Sequence, residues 1–134
     1  MKNRSEYREI IMKVLYQISI YDEAKIEYDI NNITHDLLEV ENSFVDETIN
    51  GIINNKNKII KLANKYLNNW TIDRLNKVDQ SILLIGIYEL MYTNTPSVVS
   101  INEAIELSKK YSEKEVTKMI NGVLDKIYHE ELKN

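Results

Sequence analysis

Cysteine is absent from the 134 residues, and proline occurs once and glycine three times. Without cysteine there is no disulfide framework, no thiolate metal site and no cysteine nucleophile. Scarcity of proline and glycine argues against folds built on many tight turns, because hairpins and strand ends consume those residues. The longest apolar run, Ile82 to Tyr88, falls far short of the ~18 to 20 residues that a membrane span needs. Charges through Lys13 leave no apolar core for a signal peptide. What remains is the balance of a soluble globular chain, 43% hydrophobic and 28% charged with a net charge of −4. That length suits one domain burying roughly 70% of its unfolded surface, and the expected location is the cytoplasm.

The apolar spacing is helical throughout. Tyr7, Ile10, Ile11, Val14, Leu15 and Ile18 predict an amphipathic helix over about 4–20. Further stripes run through Ile26, Ile30, Ile33 and Leu37, through Phe44 to Ile53, and through Ile59 to Leu67. Residues 75–91 are apolar on most sides, the pattern of a central helix surrounded by others. Thr93-Asn-Thr-Pro96 breaks the chain. Ser100-Ile-Asn-Glu103 and Ser112-Glu-Lys-Glu115 then read as capping boxes opening two last helices. The expectation is an all-α domain of about seven helices spanning 1–134. The 20 isoleucines and 16 asparagines read as compositional drift and carry no functional meaning.

Catalytic constellations are missing. His35 and His129 have no Ser, Asp or second His nearby at triad or metal spacing. Glu103 and Glu106 are weak as a metal site, and Gly51, Gly86 and Gly122 sit inside helical patterns where glycine usually permits close packing. The charge is unevenly spread: residues 1–20 and 49–77 are basic, while 21–48 are strongly acidic. Two basic segments can hold a polyanion if they meet in space; otherwise they are solvated helix faces. Arg4 and Arg8, two of only three arginines, are spaced to share one helix face, where arginine forks suit phosphate. Tyr66, in the second basic segment, offers a ring on which an unpaired base could stack.

Several segments resemble the NusB family of bacterial transcription antitermination factors. Arg8-Glu-Ile-Ile-Met-Lys-Val-Leu-Tyr-Gln17 looks like its opening helix, and Trp70-Thr-Ile-Asp-Arg-Leu-Asn-Lys-Val-Asp79 like its centre. Ile82–Leu90 is similar to its buried helix, and Val99–Leu107 and Asn121-Gly-Val-Leu-Asp-Lys126 to its C-terminal signatures. The resemblance implies two packed helical subdomains, no catalysis and no cofactor. It implies pairing with NusE, a small-subunit ribosomal protein, binding of single-stranded boxA RNA, and entry into an RNA polymerase antitermination complex. By the same resemblance Arg4, Arg8, Tyr66, Lys118 and Met119 fall at RNA-facing positions, and Asp79 at the position facing NusE. A homodimer is also left open, since some members self-associate through the RNA surface. Ser5 and Glu6 dilute the usual arginine run, Leu84 replaces an arginine, and Met119 stands where a ring is common. Weak RNA affinity and greater reliance on the partner are therefore expected. The alternatives are a protein-interaction scaffold with decayed RNA binding and, for want of room for a catalytic half, much less an RNA-modifying enzyme.

Overall fold

The computed structural model describes residues 2–133, and the described residues form helices and connecting turns without strands. Seven α-helices follow in order: α1 Arg4–Ala24, α2 Ile30–Leu37, α3 Ser43–Asn54, α4 Lys56–Tyr66, α5 Lys77–Tyr92, α6 Ser97–Tyr111 and α7 Lys114–Ile127. A 3₁₀ turn at Ile72–Arg74 precedes α5, and a π-helical turn at Tyr128–Leu132 extends α7. No helix is long and apolar enough to cross a membrane.

As its composition predicts, α5 is the central helix, with Ser81, Ile82, Leu83, Leu84, Ile85, Gly86, Ile87, Glu89 and Leu90 all buried. Two groups of helices lean on it: α1 with α2 and α3, and α4 with α6 and α7. One continuous apolar cluster runs from Ile10 to Ile127 through both groups. Two glycines let the packing close. A Cβ on Gly51 of α3 would occupy the space of the Tyr88 phenol ring, and one on Gly86 would lie 2.9 Å from Leu124 Cδ1.

The ends of the helices differ from the expected boundaries for local reasons. Helix α1 begins with a capping box of Asn3 and Glu6, each side chain taking the other's backbone amide. At the other end Lys25, at φ 57°, closes α1 in the left-handed region. The stripe through Ile26 is cut short, because that side chain lies outside α2 and is 54% exposed. Helix α6 starts three residues before the expected box, directly after Pro96, whose fixed φ suits a helix entry. Ser100 is therefore inside the helix, its hydroxyl buried without a partner, and Glu103 turns to other work. Nor does Ser112 cap α7: it ends α6 and gives its hydroxyl to Asp79.

Gly51→Ala should destabilise the fold by about 1–3 kcal/mol through overpacking against Tyr88. Urea denaturation checks this, and trimming the ring with Tyr88→Leu in the same chain should recover most of the loss. A neutral Gly51→Ala would contradict the contact.

Candidate nucleic-acid interface

The two arginines of α1 have different fates. Arg4 is exposed, with its guanidinium 4.4 Å from the centre of the Phe44 ring. Arg8, one turn later, points inward and is only 4% exposed. Its Nε and Nη2 each donate to a different oxygen of Glu89 at 2.7 Å, and Nη1 donates to Glu103 Oε1 at 3.1 Å. Ser5 adds its hydroxyl to the same Glu103 oxygen. Burial disfavours the Arg8 charge, yet the bonds to Glu89 and the nearby carboxylates outweigh it and raise its pKa. With three of its five N–H groups bonded to carboxylates and only 4% exposure, Arg8 is turned away from any phosphate at the surface. The expected phosphate contact at Arg8 is thus corrected: this side chain ties α1 to α5 and α6. Beside it lies an open cleft of about 860 Å³, lined by Arg4, Phe44, Glu47, Tyr88, Pro96 and Glu103 among others, whose carboxylates offset Arg4.

A second concavity lies between the end of α4 and α7. Asn68 and Asn69, at φ 32° and 59°, reverse the chain after α4, a conformation asparagine tolerates better than most residues. Trp70 emerges from this turn 48% exposed, with the Arg74 guanidinium 5.1 Å from its ring centre. Tyr66, Trp70, Met119, Gly122, Val123 and Lys126 line a mostly apolar groove of about 250 Å³. Sequence-expected Tyr66 and Met119 therefore share one site. The Tyr66 hydroxyl donates to Glu131 Oε2, and Lys65 Nζ reaches the same oxygen at 2.9 Å. These bonds lower the Glu131 pKa, Tyr66 contributing most, and the Glu131 bond is also the main cause raising the phenol of Tyr66.

Lys118 occupies the other flank of α7. It opens onto a concavity of about 420 Å³ lined by Ile105, Lys109, Lys114, Thr117 and Asn121 among others. Asp79 does not stand at a surface. It is 3% exposed, takes its own amide's cap from Asn76, and accepts the Ser112 hydroxyl at the corner between α6 and α7. Direct contact between its carboxylate and a partner protein does not fit that burial. The histidines lie on separate elements, His35 near Glu41 and His129 near Asp125.

Sequence reasoning missed Trp70, Gly122 and Lys126 as groove residues and Glu89 as the counter-ion of Arg8. The first had a signal, the chain's single tryptophan standing in the polar run Asn68-Asn-Trp-Thr71. Glu89 had none, because its partner lies 81 positions away.

Comparison with known proteins gives one consistent likeness. The profile of the NusB family matches residues 5–129. The transcription antitermination protein NusB of Macrococcus caseolyticus is 39% identical over 127 residues, covering 93% of this chain and 95% of its own. That of Clostridium perfringens is 39% identical over 132 residues, with 94% and 96% covered. Among solved structures, T. maritima NusB superposes with a TM-score of 0.83 at 32% identity, covering 96% of this chain and 92% of its own. A complex of antitermination factors NusB and NusE with dsRNA gives 0.78 at 22% identity, covering 94% and 96%, a likeness of fold.

Removing one member of the buried pair should be costly, about 3–5 kcal/mol for Glu89→Leu, because the buried Nε and Nη2 of Arg8 lose their acceptors and only the Glu103 bond remains. Arg8→Met combined with Glu89→Leu should lose less than the two single losses added, as measured in a urea double-mutant cycle. At the second groove, Glu131→Gln removes the charge that holds the Tyr66 proton. The phenol should then titrate at lower pH, seen as an ultraviolet difference against Tyr66→Phe; an unmoved titration would refute the bond.

Proposed function

This chain belongs to the NusB family, and from that premise we propose that it is an RNA-binding transcription antitermination factor. In this reading it pairs with NusE, takes up single-stranded boxA RNA from nascent ribosomal transcripts, and joins an RNA polymerase antitermination complex in the cytoplasm. It acts as one helical RNA-binding domain without catalysis. The observation that carries the reading is the groove between α4 and α7, where an exposed tryptophan, a tyrosine and a methionine lie beside Lys126. Rings and thioethers offer stacking surface to unpaired bases, and neighbouring cations meet the phosphates. Tyr66, Met119 and Lys118 keep their RNA-facing roles here, with Arg4 as the free arginine of α1. Asp79 contributes by holding the α6–α7 corner.

One observation favours a weaker grip on RNA than the family pattern implies. Arg8 is spent on Glu89 and Glu103, leaving α1 with a single exposed arginine near its start. A scaffold that binds the protein partner and little RNA is accordingly the second reading. Self-association through the same surface remains compatible with both.

A titration of boxA-type RNA at two salt concentrations, with and without NusE, separates the readings. Binding should be weak alone and tighten with the partner. Met119→Ala with Tyr66→Ala should weaken it by about ten- to a hundredfold, the span for lost base stacking. Arg4→Ala should reduce the salt slope by about 0.7, one single-strand phosphate contact. A stable protein pair that ignores the RNA at both salts would leave the scaffold.

A further inference from the structure

Two donors at the end of α4 converge on one carboxylate oxygen. Tyr66 gives its hydroxyl to Glu131 Oε2, and Lys65 Nζ reaches the same oxygen at 2.9 Å. A phenol and an ammonium meeting at a single anionic oxygen is also the arrangement a phosphate oxygen takes. Together they hold the Glu131 carboxyl below its ordinary pKa, so the group they grip is an anion. The contact spans more than sixty positions of sequence and ties α4 to the turn that follows α7.

The backbone that delivers Glu131 is unusual. Along α7 the groove face recurs at Met119, Gly122, Val123 and Lys126, the three- and four-residue spacing of an α-helix. After Ile127 the helix widens into the π turn of Tyr128–Leu132, where the Lys133 amide donates to the Tyr128 carbonyl at 3.0 Å. Such turns are rare and recur at functional sites. None of the five residues in this turn is fully buried. The Lys65 and Glu131 side chains keep 62% and 25% of their surface exposed. An ion pair this wet is worth at most about fivefold in an equilibrium, so it opens without loss of core.

We propose that the C-terminal π turn is an autoinhibitory latch on the α4–α7 groove: Glu131 occupies the donors of Lys65 and Tyr66 until a phosphate of an incoming strand displaces it. The proposal rests on the RNA-binding reading and adds how that site is held closed. Displacement exchanges one anion for another, so Lys65 and Tyr66 keep an acceptor throughout. A ligand that carries no anion cannot make the exchange and leaves the latch shut. The closed state lowers affinity for every strand by the same factor, which sets how strongly binding depends on the protein partner.

Glu131→Ala tests the latch, because it removes the competing acceptor from an exposed position. In the NusE complex, affinity for a fluorescent boxA-type oligonucleotide should rise about three- to tenfold. Loss of a negative charge alone is controlled by Asp125→Asn, one turn earlier on the same exposed surface, which should change affinity by less than about twofold. In a chain already carrying Lys65→Met and Tyr66→Phe, Glu131→Ala should bring no more than that control, since the latch is then absent. Equal gains in both backgrounds, or from Asp125→Asn, would reduce the effect to distant charge and overturn the latch. So would a lower thermal midpoint with RNA affinity unchanged or weakened, the mark of a contact that only holds the fold. If Tyr66→Ala weakens binding while Glu131→Ala binds as the parent does, RNA uses the groove without a latch and the proposal alone fails. Should neither variant change RNA affinity, the groove is not the RNA site and the broader reading fails with it.

Discussion

Arg8 and Glu89 hold each other inside the protein, and the placement of α1 follows from that bond. Both side chains are almost wholly buried, at 4% and 1% exposure, so neither charge has water to fall back on. A buried pair of this kind adds little net stability compared with apolar residues of the same size. Its force lies in what it forbids. Any shift of α1 along α5 would strand a guanidinium or a carboxylate in a medium that tolerates neither. Glu103 extends the same constraint to α6, and Phe44 of α3 lies beneath both arginines.

That constraint also redistributes charge across the surface. The first basic segment loses Arg8 to the interior, and its remaining arginine shares a cleft with Glu47 and Glu103. The second basic segment fares differently, since α4 packs on α5 and α7 and ends at a groove where Lys126 also lies. In the proposed reading, the RNA meets the protein where α4 meets α7. Glu131, in the π-helical turn after α7, already holds Lys65 and Tyr66 there as an incoming phosphate could.

The central helix makes both regions possible. Because α5 is buried on most of its circumference, it can carry Glu89 toward α1, Tyr88 toward α3, and Gly86 toward α7 at once. Two glycines, on α3 and α5, allow that density. A third, Gly122 on α7, is unnecessary to it.

Helical periodicity, the scarcity of proline and glycine, and the all-round apolar character of residues 75–91 determined the helix count and the central element, because those patterns depend only on near neighbours. Family resemblance across the chain was likewise legible in the order of its segments. Helix ends were read less well: Ser100 and Ser112 have the residues of a cap, but Pro96 and Asp79 decided where α6 and α7 begin. Only the tertiary structure could turn Arg8 inward, since its counter-ion lies 81 positions away and burial is a property of packed neighbours. The same holds for bringing Tyr66 and Trp70 to Met119, and for leaving Gly122 bare. A sequence states which side chains exist; which of them water can still reach is settled by what packs over them.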